Sequence, residues 1–364
     1  MRESHIWRVI MWTAIVVGAV MLIIVIDPGF LYVLSAGAIP VDTGGRIELL
    51  VTPGTPISGR AATDLYWLDK DGTFAKVASL NEFPKCVTAL DGQLFVTFAV
   101  ASGGVTRSGA SSIFRDGKWV RSVSAPERFD IDDVVSLGGL LYAFGVSPDG
   151  GKIDVRVLEE NGWRKPAEPF DAGTGIAFAG CLDVSGVIEV LYASGPRTSL
   201  GGPDLEKTQW RYVSFDGSRW GEPQALHVPP AVSPNVAAYG DKFALVLSPV
   251  KEGEPLNVAV VDGPDLKTVA DIPTKGLGAV QQAWLVPLGG QEHVLVITLG
   301  RIWDVPLANG APGIPRMLLE TSQSSRLRSE IYVGILAVGA VLLVFFGLAW
   351  LFIRLRAVLK GRKR

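Results

Sequence analysis

The chain has 364 residues, with Lys+Arg 34, Asp+Glu 36 and a formal net charge of −2. That balance excludes a nucleic-acid binder held by phosphate contacts, and an apolar content of 48% excludes a disordered chain. Two cysteines build neither a disulfide scaffold nor a four-cysteine zinc site.

Residues 1–8 read as a short tail carrying Arg2 and Arg8 against Glu3. Residues 9–26, VIMWTAIVVGAVMLIIVI, hold no charge. A helix rises about 1.5 Å per residue and a hydrocarbon core is about 30 Å thick, so roughly 20 apolar residues span it. Extended by Ile6 and Trp7, this segment is expected to be a retained transmembrane helix. The competing reading is a cleaved signal peptide with Ala36 and Ala38 as its small residues, although these lie well beyond the apolar run. Residues 27–39 follow as a linker.

Residues 40–320 repeat. One signal is an apolar run, a glycine turn and a second apolar run, as in VTALDGQLFVTF (87–98), VVSLGGLLYAF (134–144), CLDVSGVIEVLY (181–192), VAAYGDKFALVL (236–247) and WLVPLGGQEHVLVI (284–297). With a degenerate first copy at 41–51, the turn glycines Gly45, Gly92, Gly139, Gly186, Gly240 and Gly290 are spaced 47, 47, 47, 54 and 50. A second signal interleaves with it: strand, Asp/Asn-Gly, strand, with glycines Gly72, Gly117, Gly162, Gly217, Gly263 and Gly310 spaced 45, 45, 55, 46 and 47. Asp-Gly and Asn-Gly between β-rich runs mark hairpins, because tight turns need positive φ. Two hairpins per repeat make four strands, and four-stranded units at roughly 40–50 residues are the mark of a β-propeller. The expected fold is therefore all-β, a six-bladed β-propeller flanked by two transmembrane α-helices. Degenerate first and last copies leave five or seven blades open.

The repeat resembles the kelch family. VVSLGGLLYAF matches the first half of a kelch repeat, and Trp119, Trp163 and Trp220 sit where that family carries its late tryptophan. The glycine pair that ends a kelch second strand is approximated only by Gly103-Gly104 and Gly150-Gly151. The segment DGSRWGEPQAL (216–226) also looks like strands of sialidase-type propellers, without their aspartate-box pattern. What these resemblances imply is the fold, which hosts many unrelated functions. The late tryptophans are expected to pack between blades rather than to form sugar platforms.

Residues 321–330 form a second linker, and residues 331–353, IYVGILAVGAVLLVFFGLAWLFI, a second uncharged span. The tail 354–364 carries Arg354, Arg356, Lys360, Arg362, Lys363 and Arg364 with no acid. Basic flanks belong in the cytoplasm, so both termini are expected there, in a plasma (inner) membrane, with 40–320 extracytoplasmic. The tails carry +1 and +6, which leaves −9 between them. An acidic outer domain disfavours nucleic acid and anionic lipid as partners.

Chemistry is sparse. His5, His227 and His293 are the histidines, and no HExxH, CxxC, GxSxG, P-loop or GxGxxG spacing exists. No catalytic residue, metal site or cofactor is expected. Inner strands of a propeller line its axis, and ligands gather at its mouth. The polar residues at the inner-strand starts are Lys85, Asp132 with Asp133, Asn235, and Gln281 with Gln282, in the second, third, fifth and sixth repeats. They are the candidate ring of ligand or partner contacts. The alternative is an ordinary solvated opening.

Cys86 and Cys181 fall in inner strands of non-adjacent repeats and are expected to be free thiols. Three functional readings stand: a binding or scaffolding module in an envelope assembly, a glycan-active hydrolase using carboxylates at the mouth, and a sensor with a separate cytoplasmic partner.

Overall fold

A computed structural model describes residues 37–320, apart from 53–62, 81, 103–104, 116, 125–128, 161, 197–203, 205–206, 231, 250, 252 and 299–300. Both apolar segments and both tails of the sequence reading lie outside the described residues. Six antiparallel sheets follow one another along the chain. Blade 1 is β1 (Gly37–Asp42), β2 (Arg46–Thr52), β3 (Thr63–Asp69) and β4 (Phe74–Leu80). Blade 2 is β5 (Phe83–Leu90), β6 (Gln93–Ser102), β7 (Val105–Arg115) and β8 (Lys118–Ser124).

Blade 3 is β9 (Asp133–Leu137), β10 (Leu140–Val146), β11 (Lys152–Glu159) and an outer strand split into β12 (Gly162–Arg164) and β13 (Phe170–Asp171). Blade 4 is β14 (Ala177–Val184), β15 (Val187–Ser194), β16 (Gln209–Phe215) and β17 (Gln224–Leu226). Blade 5 is β18 (Val232–Tyr239), β19 (Lys242–Pro249), β20 (Leu256–Asp262) and β21 (Asp265–Ile272). Blade 6 is β22 (Val280–Leu288), β23 (Gln291–Thr298), β24 (Arg301–Ala308) and a split outer strand, β25 (Ala311–Pro312) and β26 (Arg316–Glu320).

Each blade is thus one repeat of the sequence, and the count is six. The first strands β1, β5, β9, β14, β18 and β22 each touch the first strands of both neighbours, so they form the inner ring, closed between blades 6 and 1. The turns behave as the glycine spacing requires. Asp91 and Gly92 both take positive φ, 50° and 70°, which a two-residue hairpin with the native strand twist demands.

The second strands are buried on both faces, β10 and β19 nearly throughout, because a neighbouring blade covers each side. That is why the sequence shows near-continuous apolar runs there, whereas β11 alternates. Six apolar clusters fill the six seams. Leu50, Leu65, Leu94 and Val96 close blades 1 and 2, and Cys86, Phe95, Ile131 and Leu141 close blades 2 and 3. Phe144, Val155, Tyr192 and Phe215 close blades 3 and 4. Equivalent sets close the seams from blade 4 to 5, 5 to 6 and 6 to 1.

The tryptophans of the second hairpins are seam residues too. Trp163 Nε1 donates to the Ser124 carbonyl of blade 2 at 3.0 Å, and Trp220 Nε1 to the Glu168 carbonyl of blade 3 at 2.9 Å.

Candidate functional site

In a four-stranded meander the turns after the first and third strands share one end, and the inner strand starts at the other. The glycine turns therefore occupy one end of the ring, and the inner-strand starts the opposite one. This second end also carries the connections from second to third strands, of which the span from Gly195 to Thr208 is the longest.

Two of the expected mouth residues come together, and two others join them. Lys85 Nζ lies 2.7 Å from Asp130 Oδ1 and 3.8 Å from Asp132 Oδ1. Asp130 Oδ1 also accepts from the Ser108 amide at 2.8 Å and lies 3.0 Å from the Ser108 hydroxyl. Burial pushes the Asp130 carboxyl up, but the Lys85 and Ser108 hydrogen bonds outweigh it and hold the group below its usual range. Asp132 Oδ2 accepts from the Val146 amide at 2.8 Å, and here burial wins, so its carboxyl is raised. The Asp132 side chain keeps 32% exposure and Lys85 keeps 18%. The cluster is ordered from beneath and open above.

Asp133 does something else. Its Oδ2 accepts from the Cys181 amide of blade 4 at 2.9 Å, and its Oδ1 from the Val134 amide at 2.9 Å. Burial pushes this carboxyl up to about 6, against the pull of those two amides. The sequence treats Asp133 as an exposed strand-start acid, and the structure turns its carboxyl inward.

The same position recurs around the ring. Cys86 Sγ donates to the Asp132 carbonyl at 3.1 Å, and Asn235 Nδ2 donates to the Ala283 carbonyl at 3.0 Å. An inner strand pairs on one side only, so its other edge carries unpaired backbone groups. In each case the side chain at this position ties one such group of the next blade. A donor, Cys86 or Asn235, takes a carbonyl; an acceptor, Asp133, takes an amide. In blade 4 the position is Gly180, where a Cβ would stand 2.8 Å from Val236 Cγ2 and 3.5 Å from Asp133 Oδ2. The missing side chain is what admits those two neighbours.

Gln281 and Gln282 stand across the ring, on blade 6, and no hydrogen bond links them or Asn235 to the Lys85–Asp132 pair among the described residues. The register slips between Val280 and Gln282, as it does between Pro84 and Cys86. Lys85 and Gln281 are thus the extra residues of β-bulges, which aim a side chain out of the ladder. Gln282 is exposed, while Gln281 is half-buried with its Oε1 unpartnered.

Asp130 and Ser108 were not legible as site residues. Asp130 belongs to the acidic run Asp130–Asp133, but Ser108 has no local signal and arrives from β7. His293 follows the Gly289-Gly290 turn, lies inside β23, and its Nδ1 meets Asp304 Oδ1 at 2.7 Å. Cys86 and Cys181 are free and buried, and burial raises both thiols. Among the described residues, no three His, Cys, Asp or Glu side chains are grouped to hold a metal ion.

No protein-family model matches the chain, and no curated protein matches it in sequence. Solved structures do. The fucose-specific lectin from Aleuria aurantia, as a mercury derivative, superposes with a TM-score of 0.52 at 15% identity, over 80% of this chain and 96% of the lectin. A further structure of that lectin, described as a six-bladed β-propeller with a novel fucose recognition mode, gives 0.51 at 14% identity over 80% and 96%. YjhT gives 0.50 at 11% identity, over 78% of this chain and 97% of its own. At such identities the likeness establishes the fold, and the chain is a six-bladed β-propeller. Function has to come from the site's own residues.

Proposed function

We propose that the chain is a membrane-anchored, extracytoplasmic β-propeller acting as a binding or scaffolding module, with a protein partner in the envelope or membrane. Its binding face is the end of the ring where the inner strands start. The observation that carries this reading is the Lys85–Asp130–Asp132 cluster: charges fixed by backbone donors below, with Asp132 half-exposed above. Asp132, Lys85, Gln281 and Gln282 are the contact residues of the proposal. Asp133 and Asn235 shape the same mouth from behind, because Asp133 Oδ2 and Asn235 Nδ2 are tied to the next blade.

The uncharged spans 9–26 and 331–353 and the basic ends support an inner-membrane location with cytoplasmic termini. The kelch resemblance belongs to this reading at repeat level, on the glycine turns and the late tryptophans. Glycan capture is the second reading. It is favoured by the fold shared with a lectin described as fucose-specific, and carboxylates such as Asp130 and Asp132 suit sugar hydroxyls.

A photo-crosslinking residue placed at Asp132 or Gln282 of the full-length chain in cells tests the face. Leu140 and Lys242, beside the glycine turns, serve as controls. Crosslinks to a discrete partner from the mouth positions alone support the proposal, and crosslinks from the control positions alone overturn it. Retention of fucosylated glycans by the purified chain, lost in Lys85→Ala, would give the second reading precedence. Glycan turnover would replace both with a hydrolase.

A further inference from the structure

Five of the six seams are crossed by the chain itself, through the connections after Leu80, Ser124, Asp171, Leu226 and Ile272. Among the described residues, no peptide crosses the sixth, between blades 6 and 1. Nor is a strand shared there: all of blade 1 lies within 37–80 and all of blade 6 within 280–320. Among the described residues, apolar side chains and one side-chain-to-backbone hydrogen bond hold this seam.

Its apolar part is Ala38, Ile47 and Leu49 of blade 1 against Val286, Leu295 and Ile297 of blade 6. Its polar part is a clasp. Arg316 Nη1 donates to the Gly72 carbonyl of blade 1 at 3.1 Å, and Nη2 to Asp304 Oδ2 at 3.2 Å. Asp304 is a buried anchor at 5% side-chain exposure, fixed on its other oxygen by His293 at 2.7 Å, while Arg316 keeps 47%. Gly72 takes φ +83°, and a Cβ there would displace the Arg316 guanidinium.

We infer that this seam is the joint at which the ring opens, and that the Asp304–Arg316–Gly72 clasp sets how readily it does so. A seam crossed by a peptide recloses at the high effective concentration its short linker imposes, whereas no described residue links blade 6 to blade 1. The described residues begin at β1 of blade 1 and end at β26 of blade 6, so both boundaries of the ring lie at this seam. The device is conformational: opening here parts β1 from β22 and widens the whole inner ring.

Hydrogen exchange on the full-length chain in detergent tests it, with Arg316→Ala, Arg316→Lys and, at a peptide-crossed seam, Trp220→Phe. Arg316→Ala is expected to speed exchange about tenfold in β1, β2 and β23, the range that loss of a charged hydrogen bond to a buried partner allows, and to leave blades 3 and 4 unchanged. Arg316→Lys, which keeps the charge but not the fork, should fall between wild type and Arg316→Ala. Trp220→Phe should change its own seam less than Arg316→Ala changes the sixth. Unaltered exchange in β1, β2 and β23 on Arg316→Ala, or an equal rise in all six blades, would overturn the inference.

Discussion

Asp133→Asn separates a latch from a charge. In the folded chain the Asp133 carboxyl accepts two amides, from Cys181 and Val134, but burial raises it from its ordinary 3.8 to about 6. That displacement is worth about 3 kcal/mol between its two protonation states. The folded state holds the proton more tightly than the unfolded state. Stability from this group is therefore full below about pH 4, falls at up to about 1.4 kcal/mol per pH unit through about pH 6, and is level above.

Asn keeps an oxygen for the Cys181 amide and carries no charge. Asp133→Asn should then be more stable than wild type at pH 7, by about 1–3 kcal/mol, with the gain vanishing toward pH 4. The raised Asp132 carboxyl and the lowered Asp130 carboxyl add pH dependence of opposite sign, and comparison of the two proteins at each pH removes the part that does not depend on Asp133. Urea midpoints followed by tryptophan fluorescence at pH 4, 5, 6 and 7 give the answer. A gain that grows as pH falls, or a pH-independent loss at pH 7, would refute the reasoning. Asp133→Ala, which leaves the Cys181 amide unpaired, should destabilise at every pH.

Gly180→Ala should cost about 1–3 kcal/mol, because the new Cβ meets Val236 Cγ2 at 2.8 Å in a packed seam, and a lowered urea midpoint checks it. Cys86 and Cys181 should resist thiol reagents in the native chain and react together on unfolding, with no mass change on reduction; rapid native labelling of either would contradict their burial. For the proposed topology, an impermeant maleimide applied to intact cells should fail to label Lys363→Cys, and labelling there would reverse the orientation.

The repeat, its four-strand unit and the count of six were legible because each rests on local chemistry: positive-φ turns, apolar runs and their spacing. Two-face burial even left its trace in the unbroken apolar runs LLYAF (140–144) and FALVL (243–247). The role of Asp133 was not legible, since its partner is Cys181, 48 residues on, and a strand-start acid reads the same whether it faces water or the next blade. Lys85 and Gln281 were found as polar residues at strand starts, but bulges decide where they point, and a bulge is a misfit between two strands rather than a property of either. Asp130 and Ser108 entered the site only because β7 folds beside the connection into blade 3. Closure of the ring by Arg316 on Gly72, 244 residues apart, lies furthest from any local signal. Turn geometry and burial pattern are written residue by residue, whereas the pairing of a side chain with a neighbouring blade exists only once six blades have met around one axis.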